Sequence, residues 1–324
     1  MTTYGRVEVP KRHILASQHP FSLSPYLQEL MVYVGESLVF EESAHLLEKL
    51  LHTSVNAKQV ERVCHHYGAL LEEKSVDERQ DTVRQDERLH YGMIDGGMIL
   101  TREESWKEIK VGRVFPAEAV LPQSQKRNFV SDSDYTAHLG SKQTFFEKLA
   151  YKTDPLTNMI WIADGARWIW SWVEAHYPNA VQILDYFHCK EKLCQFALHA
   201  FEQENEQKQW VQDQQDLLFA DAVETVIANI ALMQLKGDAK LLQKSLLKYY
   251  SNNKERMRYG SFQKQGYLIG SGAIESAIRQ LIQQRLKLSG QRWTIKGAQQ
   301  IANLRVAKKS NKWMMVQNLI ANQN

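Results

Sequence analysis

Residues 159–163 form a short apolar run, Met-Ile-Trp-Ile-Ala, that ends directly at Asp164 and Gly165. Five apolar residues bounded by turn-forming residues are typical of a strand buried on both faces, as at the centre of a parallel sheet. An amphipathic stretch over residues 167–176 and a second apolar run over residues 180–184 follow. Strand and helix in alternation predict an α/β fold, with a mixed sheet and helices on its faces.

The residues on either side extend this prediction. Residues 91–100 are rich in β-forming side chains and residues 108–115 alternate apolar with polar, which predicts a hairpin. A third, weaker strand is expected within residues 127–138. A helix is expected over residues 141–150, and we expect a long helical region to follow residue 187 and a strand or loop over residues 262–269, ahead of a final helix from residue 271.

Two helices are also predicted near the start of the chain. Helical periodicity covers residues 40–51, and Asn56 is a candidate cap for a helix to about residue 73, with a C-terminal signal near Gly68. The short link between them has the length of a helix-turn-helix connection. An ordinary helical hairpin is the alternative. In the first interpretation the second helix would offer these side chains to DNA: Lys58, Gln59, Arg62 and His66.

The predicted organisation has six parts. They are an extended segment (1–26), a helical DNA-binding region (27–75), a linker (76–90), the first part of the core (91–200), an all-α insertion (201–262), and a catalytic helix with a basic segment (263–324). The three cysteines are too few for a disulfide framework. No apolar stretch is long enough for a membrane span, so we expect a cytoplasmic protein without a membrane partner; the resemblance described below implies a bacterial, nucleoid-associated one.

The distribution of charge along the chain is more informative about a nucleic-acid partner than the net charge of +3. Residues 276–324 carry nine basic residues and no Asp or Glu. Such asymmetry favours a positive face that displaces counterions from phosphates, and a merely solvated basic tail is the alternative. Within it, three basic side chains and one aromatic are candidates for DNA contact: Arg285, Lys287, Arg292 and Trp293.

Three acids are the candidates for chemistry. Asp95 follows two apolar residues and precedes two glycines, and Asp164 directly follows the apolar run at residues 159–163. Glu275 falls in the first turn of a predicted helix, where the helix dipole favours an ionised carboxylate. Carboxylates are hard ligands that suit magnesium, and two such ions roughly 4 Å apart support in-line displacement at phosphorus. The acids alone leave open a glycosidase or a metal-dependent phosphatase.

Residues 164–188 resemble the central segment of Mutator-like DDE transposases. They carry an Asp-Gly pair at Asp164, an amphipathic helix, a Pro-x-Ala at 178–180, and Asp185 three residues ahead of His188. Residues 270–305 resemble the bacterial ISKra-type insertion-sequence transposases, through Gly-Ser-Gly-Ala-Ile-Glu at 270–275 and the basic positions after it. Residues 4–10 are similar to the upstream region of that family, whose members often carry more sequence before it, so a short form is expected.

This resemblance implies a ribonuclease H-like fold, a mixed five-stranded sheet flanked by helices with an all-α insertion. It implies that Asp95, Asp164 and Glu275 bind two Mg²⁺ ions, for which Mn²⁺ would substitute, and that Asp185 and His188 form an accessory motif. The expected function is a DNA transposase that cleaves transposon ends and joins them to target DNA, as a homodimer or larger assembly. The alternative is a transposase-derived DNA-binding protein that has lost catalysis.

Overall fold

The computed structural model describes residues 21–77, 85–124 and 127–322. The stretch at residues 4–10 lies outside these ranges. Among the described residues, no helix combines the length and the apolar character that crossing a bilayer requires.

Three helices precede the sheet in the part of the chain that the structure describes: α1 (Pro25–Gly35), α2 (Phe40–Leu51) and α3 (Ala57–Asp77). His52 ends α2 in the left-handed conformation, with φ of 50°, and its amide donates to the Glu48 carbonyl. At the start of α3, Asn56 and Gln59 each accept the other's backbone amide at 2.9 Å, which is a capping box.

The main sheet contains five strands in the order β5-β2-β1-β6-β7. Their bounds are β1 (Asp86–Thr101), β2 (Ser105–Pro116), β5 (Asp134–His138), β6 (Leu156–Ala163) and β7 (Val181–Leu184). β1 and β2 form the predicted hairpin, and β6 pairs parallel to both β1 and β7. Two short strands, β3 (Val120–Ser124) and β4 (Arg127–Val130), form a separate ribbon after a 3₁₀ turn, Ala117–Ala119.

Side chains alternate between the two faces of the sheet, as the period of a strand requires. Met159, Trp161 and Ala163 face α4 (Lys142–Thr153) and α5 (Arg167–His176) in one apolar cluster. Ile160 and Ile162 belong to a larger cluster on the opposite face, which includes the N-terminal helices and the last helices of the chain. The fold is therefore a mixed α/β structure in three layers.

The region between the second and third acids is helical. It comprises α6 (Tyr186–Ala200), α7 (Glu204–Phe219), α8 (Val223–Leu232), α9 (Gly237–Asn253), a 3₁₀ turn (Lys254–Arg256) and α10 (Tyr259–Lys264). Tyr250 of α9 is fully buried, and its hydroxyl donates to the Cys189 carbonyl of α6 at 3.2 Å. The helical insertion is thus packed against the helix that follows β7.

The last helices complete the larger core. α11 consists of three consecutive segments: an α-helix (Gly272–Ala277), a π-helical turn (Ile278–Gln283) and a final turn (Gln284–Leu286). It is followed by α12 (Ile295–Lys309) and α13 (Trp313–Ala321). Inside the π turn, the carbonyls of Gln280 and Leu281 accept hydrogen bonds from the buried guanidinium of Arg305. Arg305 also pairs with the buried Glu36 at 2.8 Å, and so connects α11, α12 and the end of α1.

Several predicted boundaries need correction. α3 continues through Gly68, because this glycine allows close contact with α12: a Cβ there would lie 2.3 Å from the Gln300 carbonyl oxygen. The proposed linker, residues 76–90, contains the end of α3 and the first residues of β1, which begins at Asp86. Phe262, expected in a strand or loop, lies in α10. The N-terminal helices share one apolar cluster with the sheet and α12.

Candidate active site

Three aspartates lie at the same level on three neighbouring parallel strands. Ile94 pairs with Ala163 and Ala163 pairs with Leu184, so the residues that follow them, Asp95, Asp164 and Asp185, are aligned across β1, β6 and β7. The amide of Asp185 donates to the Ala163 carbonyl at 2.8 Å, which extends the pairing to this level. This register places Asp95, in the interior of β1, beside Asp164 and Asp185, which directly follow the carboxyl ends of β6 and β7.

The same face of the sheet receives Glu275 from a distant part of the chain. Alternation places Asp95 with Tyr91 and Met93, on the face covered by α6 and α11. The loop before α11 is fixed to the sheet, because the Leu268 amide donates to the Tyr91 hydroxyl at 3.1 Å and the Tyr186 amide donates to the Ile269 carbonyl at 2.9 Å.

Asp185 is a buried, fully hydrogen-bonded carboxylate. It caps α6 by accepting the amides of Phe187 at 3.3 Å and His188 at 3.1 Å, and it accepts the Ser271 amide at 2.9 Å. It also pairs with Nδ1 of His188. The hydrogen bonds to His188 and Ser271 hold the pKa of Asp185 below its usual value despite burial. With four donors on its two oxygens, Asp185 is a residue that positions the loop before Glu275.

His188 lies between Asp185 and the other carboxylates. Its hydrogen bond to Asp185 is the main reason that its pKa is raised to about 9, and the charges of Asp164 and Asp95 add to the effect. At neutral pH the ring is therefore an imidazolium facing a group of acids.

Asp95 is an acid whose surroundings raise its pKa. Burial is the main cause that raises its pKa from 3.8 to about 6, and the charges of Asp164 and Glu275 contribute in the same direction. The Gly96 amide donates to Asp95 at 2.7 Å and opposes this shift. A carboxylate that is electrostatically coupled to two other acids marks a site that would gain from a bound cation.

The donor atoms come close enough for a divalent cation. Ligand atoms of Asp185, His188 and Glu275 lie within 4.8 Å of one another. Within that trio, Asp185 and His188 form an ion pair. Both oxygens of Asp185 already accept hydrogen bonds from the protein. Asp164 accepts only the Ala166 amide, at 2.9 Å, and Glu275 accepts only the Ser271 hydroxyl, at 3.3 Å, among the hydrogen bonds of the described residues. Among the described residues, no group that includes Asp95 or Asp164 meets this distance criterion, although the carboxylates of Asp95, Asp164 and Glu275 each accept a single hydrogen bond and keep oxygens free for a hard cation.

Tyr249 of α9 is a neighbour of the site that the sequence did not indicate. Its ring packs against Gly165, where a Cβ would lie 2.0 Å from Cε2 of the tyrosine. Burial raises the pKa of its hydroxyl, and the charges of Asp164 and Asp185 raise it further. The only sequence signal for this contact is the glycine that follows Asp164. Beside Gly96, the space that a Cβ would take is filled by the Glu108 side chain, whose Oε1 would lie 2.5 Å from such a Cβ.

The residues expected to contact DNA from α3, Lys58, Gln59, Arg62 and His66, are accessible to different degrees. Lys58 and Arg62 are exposed, and Gln59 is half-buried. Lys58 forms an ion pair with Glu61 at 2.7 Å, and the Gln59 side chain is used in the capping box. Arg62 lies beside His66, His65 and Lys296 in an open cleft between α3 and the start of α12.

Two of the four DNA candidates after Glu275 are interior residues. Arg285 is 1% exposed, and its guanidinium lies between the rings of Phe40 and Trp293, 4.7 and 4.9 Å from their centroids. Trp293 is 8% exposed and exchanges backbone hydrogen bonds with Leu100 and Arg102. We therefore correct the expectation that these two side chains contact DNA. Both are buried and pack α2 against α11.

The other two candidates are on the surface. Lys287 and Arg292 are exposed, and the Lys287 ammonium lies 5.7 Å from the ring centroid of the half-exposed Trp106. Several of the nine basic residues have structural partners instead, since Lys308 pairs with Glu36 and Lys312 pairs with Asp134. The acid-free segment is therefore only partly a positive surface.

Comparison with known proteins places the chain in a family. The sequence profile of the uncharacterised protein family UPF0236 matches residues 26–318. The chain belongs to this family. A search of curated proteins found none that matches it. The match covers every element that forms the candidate site in this UPF0236 protein, from β1 to α11.

Proposed function

We propose that this UPF0236 protein is a DDE-type DNA transposase with a ribonuclease H-like core. The observation that carries the proposal is the alignment of Asp95 with Asp164 on adjacent parallel strands, together with the electrostatic coupling of Asp95 to Glu275. The mixed five-stranded sheet with helices on both faces, and the helical region between the second and third acids, agree with the fold that the transposase resemblance implies.

The available oxygens fit divalent cations of the magnesium type. Asp95, Asp164 and Glu275 would hold two Mg²⁺ ions, or Mn²⁺ in their place, because all three are carboxylates with few competing donors. Bound there, such ions activate the attacking oxygen and stabilise the leaving oxygen of a phosphodiester.

The chain's own residues prepare this site. Asp185 holds the loop before α11 through the Ser271 amide, and so places Glu275 on the face of the sheet that carries Asp95. The same carboxylate orients His188, whose raised pKa keeps a positive charge near the acids. That charge reduces repulsion between the carboxylates before metal and the polyanionic DNA arrive.

The DNA would extend from the acids along α11. Glu275 and Lys287 are 12 residues apart on consecutive helical segments, about 18 Å at the usual helical rise. That length corresponds to about five base pairs of B-form DNA. Lys287 and Arg292 would then contact phosphates inside the cleaved end, and Arg62 and Lys58 would contact DNA farther along. Assembly as a homodimer or larger complex on two ends is part of this proposal.

The test is nicking of a supercoiled plasmid that carries the DNA flanking this chain's own coding sequence, with Mg²⁺ or Mn²⁺. We expect nicked product from the native chain and a loss of at least 100-fold in Asp164→Asn. Asp238→Asn, an exposed acid in the first turn of α9, is the matched control and should retain full activity. Equal nicking by Asp164→Asn would refute the proposal. DNA binding without nicking in any divalent cation would favour the alternative, a DNA-binding protein that has lost catalysis.

A further inference from the structure

A second concave surface lies beside the candidate active site. It is a cleft of about 810 Å³ between the β3–β4 ribbon, the start of α6, the loop before α11 and α11 itself. Gly270 and Ser276 are among its lining residues, and they lie on either side of the helix start that carries Glu275. The cleft therefore lies next to the helix start that carries Glu275, although none of the three proposed metal ligands lines it.

Two phenylalanines from different elements present their rings in this cleft. Phe129 of β4 is 54% exposed and Phe187 of α6 is 59% exposed, although both are large apolar side chains. Phe187 lies two residues after Asp185, and its ring packs over Gly270, where a Cβ would lie 2.5 Å from Cε2. Two exposed aromatic rings that share one cleft mark it as a candidate ligand site.

The polar groups in the cleft limit the chemistry of that ligand. Among the described residues that line it there is no Asp or Glu, so it is not a cation site. Arg113 is its one basic residue, and this guanidinium is already used by the Ser133 hydroxyl at 2.9 Å and the Ala273 carbonyl at 2.7 Å. The remaining polar groups include three side-chain amides: Asn128, Gln263 and Gln280.

Aromatic faces combined with neutral amides match a flat, uncharged ring that carries hydrogen-bonding edges. Nucleobases have this chemistry, and proteins hold unpaired bases by stacking them on aromatic rings while amides contact their edges. A paired base has both of its faces covered by its neighbours, so only a strand that has left the duplex fits.

We propose that this cleft holds an unpaired nucleobase of the DNA strand whose phosphodiester lies at Asp95, Asp164 and Glu275. The inference rests on the proposed function, because it takes the cleaved DNA as the source of the base. Phe187 stacks on the base nearest the acids and Phe129 stacks on its other side or on the next base. The enzyme thereby favours end DNA that is locally unpaired at the cleavage position.

The test measures binding of single-stranded and duplex DNA to the full-length chain, without divalent cations so that nothing is cleaved. Fluorescein-labelled oligothymidylate of 12 nucleotides and a 12-base-pair duplex are the two probes, and fluorescence anisotropy is the readout. We expect Phe187→Ala and Phe129→Ala each to weaken oligothymidylate binding on the order of 10-fold. Duplex binding should change less than about 2-fold, because backbone contacts dominate it.

Two further variants control this result. Phe187→Trp keeps an aromatic face and should retain the affinity for oligothymidylate, and Tyr26→Ala removes an aromatic residue that is 65% exposed on α1, and should have no effect. Circular dichroism and thermal melting identify any variant that fails to fold, and Phe129→Leu replaces Phe129→Ala if the ribbon is disturbed.

The outcomes separate this inference from the proposed function. Unchanged oligothymidylate affinity in both alanine variants overturns the cleft proposal, even if Asp164→Asn abolishes nicking. Loss of self-association in Phe187→Ala at unchanged affinity would also overturn it, and would assign the cleft to a second copy of the chain. Weakened single-strand binding in a protein that never nicks DNA would support the cleft and refute the transposase.

Discussion

Replacing Asp95 by Asn is predicted to stabilise the metal-free protein and to abolish its response to divalent cations. The side chain is half-buried, and burial raises its pKa from 3.8 to about 6. This shift of about 2 units corresponds to about 3 kcal/mol at 1.36 kcal/mol per unit. Because the folded state holds the proton more tightly than the unfolded state, native stability falls as pH rises from about 4 to 6, and the cost is complete above pH 6.

The amide of asparagine removes that cost while preserving the local contact. Its Oδ1 still accepts the Gly96 amide, which is 2.7 Å from Asp95 in the native chain. In EDTA at pH 8 we therefore expect Asp95→Asn to unfold with a free energy up to about 3 kcal/mol higher than that of the native chain. At pH 4 the two proteins should differ little, because the native carboxyl is then protonated.

Metal should close this gap in stability, and reverse the order at about 1,000 times the dissociation constant. A cation that binds only the folded state stabilises it by about 2.7 kcal/mol at 100 times its dissociation constant. Titration with Mn²⁺, followed by urea denaturation, should stabilise the native chain and leave Asp95→Asn unchanged, with Asp238→Asn responding as the native chain does. If the asparagine variant is less stable than the native chain in EDTA at pH 8, the raised pKa of Asp95 is wrong. If Mn²⁺ stabilises the variant to the same extent as the native chain, the assignment of Asp95 as a metal ligand is wrong.

Three other perturbations test the structure around the site. Glu36→Gln should lower the free energy of unfolding by about 3 kcal/mol in urea denaturation, because the buried guanidinium of Arg305 loses its counterion; a loss below 1 kcal/mol would contradict this. Gly68→Ala should destabilise by about 1–3 kcal/mol, measured in the same way, since its Cβ meets the backbone of α12 and cannot be relieved by a rotamer change. His188→Gln should lower the free energy of unfolding at pH 6, and by progressively less towards pH 9.5. Asp185 raises the pKa of His188 to about 9, so the stabilisation from this ion pair is complete below pH 6.5 and disappears as the pH passes 9. A difference in melting temperature that does not vary with pH would exclude this explanation.

The sheet was predictable because its central strands are apolar on both faces. A run such as residues 159–163 has few alternatives to a buried strand, and register then aligns the residues that follow it. The start of β1 was missed by five residues, because Asp86 and Arg88 pair with each other on the surface and interrupt the apolar pattern. Periodicity detects a strand by its buried side chains, so a charged strand end is read as a linker.

Which of the basic residues are buried could not be predicted in the same way. Arg285 and Lys287 are two residues apart in the sequence, yet the first lies between two aromatic rings and the second is exposed. Which cation is buried depends on α2, which supplies Phe40 from more than 200 residues away. α12 has no polar face that local sequence could reveal, since Gln299, Gln300 and Arg305 are buried along with its apolar residues.

The three aligned aspartates show why identical residues at one sheet edge take different roles. Asp185 has four donors around its carboxylate, so a cation would have to displace hydrogen bonds to Ser271 and His188 that hold the loop before α11. Asp95 and Asp164 each accept one amide and keep oxygens free. Register brings the three together, but the number of donors around each carboxylate decides which ones a metal can use. In the proposed metal site, Glu275 would act together with the two aspartates that have free oxygens, because the third aspartate positions the loop before it.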